Sequence, residues 1–143
     1  MRKTTARSAC PISNTLDILG DKWTLLIVRD LMFKGKKTFS EFLQSEEKIA
    51  TNILADRLLT LEKKGIVEKK AFPENKVKNL YQLTPKGIDL MPILFEILLW
   101  GDKHLKVTRR TRLLAEKIRN DREGTINEIL KQLAAGDAEP VIK

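Results

Sequence analysis

Two kinds of residue in this sequence could do chemistry: a single cysteine, and an excess of lysine and arginine. The 143 residues include one Cys and one His, and 27 Lys and Arg against 19 Asp and Glu give a net charge of +8. Cys10 and His104 cannot make a zinc site between them, and the glycines never approach the spacing of a phosphate-binding loop. We therefore expect no enzyme activity, no metal and no cofactor, and a polyanionic partner for the basic chain.

Cys10 immediately precedes Pro11, a residue that suits the first position of a helix because it has no N–H to leave unpaired. A sulfur at a helix start lies near unpaired backbone N–H groups and the positive end of the helix dipole, which favour the reactive thiolate. Cys10 is therefore a candidate redox or electrophile sensor. The alternative is a small side chain that packs in an interface.

The lone cysteine also bears on the compartment, because it cannot form a disulfide within the chain and so fits a reducing cytosol. The longest apolar run, Leu90 to Trp100, is too short to span a bilayer, and no apolar segment of a signal peptide follows the basic N-terminus. We expect a cytoplasmic protein with no membrane partner.

Apolar spacing and capping residues predict four helices in the first half of the chain. The first begins at Pro11 and stops at Gly20, and the second has Asp21 as N-cap and runs to about Lys34. The motif Thr38-Phe39-Ser40-Glu41 is a capping box that starts a short third helix. After a tight turn, a fourth helix is expected from about Thr51 to Lys64, with a polar face opposite its leucines.

The period of the pattern then changes from that of a helix to that of a hairpin. Ile66–Phe72 and Val77–Leu83 predict two strands, with turn residues between them at Pro73–Lys76. A long helix is expected from Pro85 to Leu105, bent at Pro92. The last segment, Thr108 to about Ala135, predicts two helices separated at Gly124.

A short helix that is followed across a tight turn by a second helix is the helix-turn-helix arrangement, which presents the second helix to the major groove of DNA. The hairpin behind it would be the wing. We expect base contacts from the polar face of the fourth helix: Thr51, Asn52, Ala55 and Asp56. Basic and hydroxyl side chains around that helix are expected to hold the DNA backbone: Lys36, Lys37, Thr38, Ser40, Lys48, Arg57, Lys69, Lys70, Lys76 and Lys78.

The sequence resembles the HxlR family of MarR-related winged-helix regulators. The residues that carry the resemblance occur in order along the chain: Cys10-Pro11, Leu16-Asp17-Ile18-Leu19-Gly20-Asp21-Lys22-Trp23, Phe39-Ser40-Glu41-Phe42, Ile49 to Leu61 with Glu62 and Gly65, Tyr81-Gln82-Leu83-Thr84 with Gly87, and Trp100-Gly101. The resemblance implies a homodimer that binds inverted repeats in duplex DNA. It also implies that a cysteine at the position of Cys10 senses oxidants or electrophiles in several members.

Two features depart from the family pattern. Ala50 stands where a serine cap is common, so we expect Thr51 to take the capping role. The chain after Leu105 is longer than the family core, which divides the sequence into a basic arm (1–9), an HxlR-type winged helix-turn-helix domain (10–105) and a helical extension with a frayed end (106–143).

The predicted fold is mainly α (α+β), a winged helix-turn-helix with a two-stranded β wing and C-terminal dimerisation helices. The predicted function is a sequence-specific, DNA-binding transcriptional regulator that acts as a homodimer. Two alternatives stay open. One is a winged-helix module that binds an acidic protein. The other is a regulator with an inert Cys10 and a small aromatic effector, lodged among Trp23, Phe33, Phe95 and Trp100, although aromatic residues at helical spacing are more often core.

Overall fold

The computed structural model describes residues 6–72 and 75–135, and for residues 72 and 75–78 it describes the backbone alone. In this part of the chain, eight helices accompany one antiparallel pair of strands. The helices are α1 (Pro11–Leu19), α2 (Thr24–Phe33), α3 (Phe39–Leu43), α4 (Thr51–Lys63), α5 (Pro85–Ile88), α6 (Met91–His104), α7 (Arg109–Asn120) and α8 (Arg122–Ala135). The strands are β1 (Val67–Phe72) and β2 (Asn75–Leu83).

Several predictions from the sequence fall on residues that the structure does not describe. They concern residues 1–5 of the basic arm, the hairpin tip at Pro73 and Glu74, and the frayed end at 136–143. The side chains of Lys76 and Lys78 also lie outside the described part, although their backbone belongs to β2.

The start of α2 differs from the prediction, because the N-cap position is Trp23 and not Asp21. Residues 21–23 form a turn, and the Asp21 carboxylate accepts hydrogen bonds from the backbone N–H groups of Trp23 and Thr24 at 3.0 and 3.1 Å. Asp21 thus satisfies the unpaired donors at the beginning of the helix from within the preceding turn.

The helix-turn-helix is formed by α3 and α4. The capping box is present, since the Thr38 hydroxyl accepts from the Glu41 backbone N–H and the Glu41 carboxylate accepts from the Thr38 backbone N–H. The expected cap at Thr51 is wrong: Thr51 is the first helical residue, Ala50 is the N-cap, and no described side chain caps this helix start.

The wing pairs Val67 with Leu83 at its base and has an irregularity between Ala71 and Phe72. The second strand begins at Asn75, two residues before the predicted Val77. The wing is attached to the helix-turn-helix because the Tyr81 backbone N–H donates to the Lys37 carbonyl at 2.8 Å.

The helix predicted from Pro85 to Leu105 is two helices, and Pro92 lies in the first turn of α6 rather than at a bend. Proline fits that position because the first N–H groups of a helix have no intrahelical acceptor. The later break is at Asp121, not Gly124. The Asp121 carboxylate accepts from the Gly124 N–H at 3.0 Å, and a Cβ at residue 124 would collide with it.

The C-terminal helices pack on the same core as the winged helix. Leu114, Ile118 and Ile129 join the buried cluster that α2, α4 and α6 build. The buried carboxylate of Asp102 on α6 binds Arg112 at 3.3 Å and Arg119 at 2.9 Å, and these two ion pairs lower the pKa of Asp102, with the Arg119 hydrogen bond contributing most. The extension is therefore fixed to α6 by both apolar and ionic contacts. No described helix is both long and apolar enough to cross a membrane.

Candidate nucleic-acid interface

The exposed face of α4 carries the residues that the sequence selected for base contact. Thr51, Asn52, Ala55 and Asp56 are all exposed. The opposite face is anchored by Leu54, Leu58 and Leu61, which are each at most 2% exposed. The sequence does not predict a base contact for Leu59. In the structure, the Leu59 side chain is 51% exposed one turn beyond Ala55 and Asp56. An exposed leucine on this face can contact the methyl group of thymine.

The beginning of α4 is suited to an anion. Because Ala50 offers no side-chain oxygen, the first backbone N–H groups of the helix are left to solvent or a ligand. Lys48 lies in the turn just before this helix start, with an exposed side chain and a backbone φ of 55°. A DNA phosphate could meet both the helix end and this ammonium group.

Three predicted backbone contacts lie around the start of α3. Ser40 is exposed. The Thr38 hydroxyl is already engaged, because it also donates to the Glu41 carboxylate at 2.9 Å. Lys37 lines a cavity of about 500 Å³ that lies between α2, β2 and α8.

Lys36 is turned inward. Its ammonium group donates to Ser45 Oγ at 2.7 Å, and the Ser45 hydroxyl in turn donates to the buried Asp30 carboxylate at 2.5 Å. The structure therefore places Lys36 in a chain of hydrogen bonds that joins α2 to the turn of the helix-turn-helix.

Sequence reasoning missed a second contact that fixes this turn. Arg29 on α2 forms a bidentate pair with Glu47, with both distances at 2.8 Å, and it also binds Asp30. The pairing with Arg29 lowers the pKa of Glu47 to about 2. Arg29 and Glu47 are 18 residues apart, so helical spacing gives no signal for their contact.

Arg57 connects the recognition helix to the turn between α1 and α2. Its Nε donates to Asp21 Oδ2 at 2.9 Å, and its Nη1 lies 2.5 Å from the Asp56 carboxylate. Burial alone would raise the pKa of Asp21, but hydrogen bonds from Thr24, Arg57 and the backbone outweigh it and lower the pKa to about 2. Arg57 is thus held within the fold, and it aligns Asp56 on the exposed face.

In the described part of the wing, Lys69 and Lys70 are exposed. Adjacent residues of a strand point to opposite faces, so these two ammonium groups lie on the two sides of the ribbon. Lys70 has a carboxylate of Glu68 at 3.8 Å, a pair between exposed groups that water screens.

Cys10 is the N-cap of α1 and is exposed. Its backbone N–H donates to the Ser8 hydroxyl at 3.1 Å. Arg7, three residues before Cys10, pairs with Asp17 at 2.7 Å. The cysteine thus has the expected helix-start position.

Two helices present apolar side chains that the described residues leave largely exposed. Ile12 and Leu16 on α1 are 71% and 54% exposed, and Ile97 and Trp100 on α6 are 52% and 60% exposed. The four aromatic residues that could line an effector pocket, Trp23, Phe33, Phe95 and Trp100, do not line a common pocket. Phe33 and Phe95 stack in the core with their ring centroids 6.1 Å apart, whereas Trp100 faces outward.

Comparison with known proteins gives a family match over most of this region. The sequence model of the HxlR-like helix-turn-helix family matches residues 18–109. Among curated proteins, the HTH-type transcriptional regulator YodB of Bacillus subtilis is 38% identical over 95 residues, which cover 66% of this chain and 84% of YodB. YdeP of the same organism, an HTH-type transcriptional regulator, is 35% identical over 95 residues, which cover 66% of this chain and 73% of YdeP.

Solved structures agree with this match. The oxidised form of the redox regulator HypR superposes with a TM-score of 0.60 at 35% identity, covering 68% of this chain and all of that one. A quinone-bound structure of YodB gives a TM-score of 0.55 at 34% identity, covering 66% of this chain and 99% of that one. These similarities confirm the predicted winged helix-turn-helix fold.

Proposed function

Since the chain belongs to the HxlR-like helix-turn-helix family of transcriptional regulators, we propose that it binds inverted-repeat operators as a homodimer, with α4 in the major groove and the β1–β2 wing beside it. The single observation that carries this proposal is the two-faced character of α4. One face is sealed in the core by three leucines, and the other presents threonine, asparagine and aspartate to the outside.

The side chains on α4 have complementary tasks. Asn52 can make a bidentate contact to adenine, and Asp56 can accept from the amino group of cytosine. Asp56 does so from an orientation set by Arg57, whose own position is fixed by Asp21. Lys37, Ser40, Lys48, Lys69 and Lys70 would contact phosphates, which position the protein without reading sequence.

The exposed apolar residues on α1 and α6 support a homodimer. Exposed residues at i, i+4 spacing form one stripe on each helix, Ile12 with Leu16 and Ile93 with Ile97. Uncovered apolar stripes of this kind mark contact surfaces in soluble proteins. Two copies related by a two-fold axis would cover them and would place two recognition helices on successive major grooves.

Operator binding is tested by titration of a labelled duplex from the DNA upstream of the coding sequence, against unlabelled duplex of random sequence. We expect the labelled complex to survive a large excess of random competitor. Disappearance of the complex at equal competitor concentration would contradict sequence-specific binding. The alternative, a module for acidic proteins, predicts no DNA complex at all.

We also propose that Cys10 is the sensor of the dimer. Its exposure and helix-start position support this role, and the relatives include a redox regulator and a protein crystallised with quinone. With diamide as oxidant, the Cys10 thiols of two protomers would each lose one proton and one electron. Diamide would take up the two protons and two electrons to become its hydrazine, and the two sulfurs would form one disulfide.

The sensor is tested by operator titration of wild type and Cys10→Ser, before and after diamide. We expect the affinity of wild type alone to change, with a covalent dimer on a non-reducing gel. Equal responses of the two proteins to diamide would show that Cys10 is a packing residue and not a sensor. The distance rule for disulfides requires the two Cys10 Cα atoms to come within about 7 Å of each other.

A further inference from the structure

The C-terminal extension closes one side of a cavity that the winged helix alone would leave open. The cavity has a volume of about 500 Å³ and lies between the end of α2, strand β2 of the wing, α5 and the last turns of α8. Its volume is in the range of small-molecule sites. The wall from α8 belongs to residues after 109, beyond the region that matches the family.

The lining of the cavity is mainly aliphatic and includes one basic residue. Aliphatic residues come from four elements, with Leu31, Ile88 and Leu133 among them, and Lys37 is the one charged residue among the described residues of the lining. No carboxylate among the described residues lies within ion-pair distance of the Lys37 ammonium group, although the Glu41 carboxylate accepts from the Lys37 backbone N–H at 3.1 Å. The phenol of Tyr81 and the amide of Gln132 add neutral polar groups. Burial and the charge of Glu62 raise the pKa of Tyr81, whose hydroxyl is protonated at neutral pH in any case and can donate a hydrogen bond.

We propose that this cavity binds an aliphatic carboxylate of medium chain length, with its carboxylate at Lys37 and its hydrocarbon chain against the leucines of α2 and α8. An aliphatic body matches the aliphatic wall, and each CH₂ group that the cavity removes from water strengthens binding. The charged end matches the ammonium group, which is a strong partner at the edge of an apolar site.

The position of the cavity gives the ligand an effect on DNA binding, which rests on the function proposed above. Lys37 is a predicted phosphate contact, and its carbonyl accepts from Tyr81 N–H on the wing at 2.8 Å. A carboxylate bound at Lys37 would withdraw its ammonium group from the DNA backbone. The ligand is therefore expected to weaken DNA binding, and DNA must weaken ligand binding by the same factor.

Ligand binding is tested first on the full chain without DNA, by calorimetric titration with octanoate and with 1-octanol as the uncharged control. We expect octanoate to bind and octanol to bind about tenfold more weakly. Ala134→Trp places a large ring at the exposed rim of the cavity, outside the core, and should lower octanoate affinity about tenfold or more. Lys37→Gln should lower octanoate affinity without changing that of octanol.

Lys103→Gln is the matched control, because Lys103 is an exposed lysine that does not line the cavity. Absence of octanoate binding, equal binding by Ala134→Trp with an unchanged thermal unfolding curve, or equal affinity for octanol would overturn the proposal.

Operator titration with and without octanoate comes second, and we expect about tenfold weaker DNA binding by wild type but not by Ala134→Trp. A chain that binds octanoate but no DNA would refute the proposed function and leave the site in place. A chain that binds DNA but no octanoate would refute only the site.

Discussion

The contact between Arg57 and Asp21 shows how single residues orient the recognition helix. Asp21 receives hydrogen bonds from two backbone N–H groups, the Thr24 hydroxyl and Arg57. All of these donors favour the ionised carboxylate over the protonated one. The same aspartate therefore stabilises the start of α2 and holds α4 through Arg57.

This arrangement predicts a stability change in acid. The pKa of Asp21 falls from its usual 3.8 to about 2 in the folded chain. Its stabilisation is therefore complete above about pH 4 and disappears as the pH falls towards about 2, because the unfolded chain takes up the proton first. Urea unfolding at pH 6, 4 and 3 should show a smaller decrease of unfolding free energy in Asp21→Asn than in wild type. Asp89→Asn, at an exposed aspartate, serves as control, and identical decreases in all three proteins would contradict this role of Asp21.

Base recognition by α4 gives a second prediction for a single side chain. Asn52→Ala should relax the base preference at one position of each half-site and leave binding to random duplex nearly unchanged. Removal of one bidentate hydrogen-bonded pair costs about 1–3 kcal/mol of discrimination. Asn127→Ala, at an exposed asparagine on α8, is the matched control. An unchanged consensus after selection with Asn52→Ala would show that another face reads the bases.

At the residue level, the sequence predicted local features well and long-range pairs poorly. Leucines spaced four and three apart placed the polar face of α4 correctly, because helical periodicity is a local property. The inward turn of Lys36 and the pairing of Arg57 with Asp21 depend on groups 9 and 36 residues away. No local pattern encodes such contacts, so a lysine or arginine in a basic sequence looks the same whether it faces solvent or the fold.

At the scale of the elements, the role of the wing can be tested through the salt dependence of DNA affinity. Replacement of Lys69 and Lys70 by alanine should weaken all DNA sequences alike. The slope of log K against log salt should flatten by about 0.9 for each phosphate that the variant no longer neutralises. Lys131→Ala, on the exposed side of α8, should leave the slope unchanged. An unchanged slope in the double variant would remove the wing from the interface.

The C-terminal extension makes a prediction about stability. Ile118 on α7 is 1% exposed within the common core, so Ile118→Ala should lower the unfolding free energy by about 2–5 kcal/mol. Leu113 on the same helix is 53% exposed, and Leu113→Ala should cost far less. Chemical denaturation of the two variants measures the difference. Equal small decreases would mean that α7 does not pack on α6 as described.

The element boundaries show why the sequence predicted helices more reliably than the breaks between them. The capping box of α3 was correct because both of its partners lie within one turn. The predicted bend at Pro92 and the predicted break at Gly124 are wrong, because proline and glycine need not interrupt a helix. In the structure both residues belong to the first turns of new helices, where proline and a glycine beneath the Asp121 carboxylate fit.

At the scale of the whole molecule, the proposed homodimer would combine the outward face of α4, the basic wing and the exposed apolar residues of α1 and α6. The proposed function requires that two chains bind one operator with two-fold symmetry. A single α4 contacts too few bases to specify a site, whereas two helices on successive major grooves lie about 34–36 Å apart.

Selection of bound duplexes from a random pool by the full-length chain tests this consequence directly. We predict an enriched inverted repeat whose half-site centres lie about one helical turn apart, bound by two chains per duplex in light scattering. A pool without enrichment, or a single half-site bound by one chain, would contradict the account.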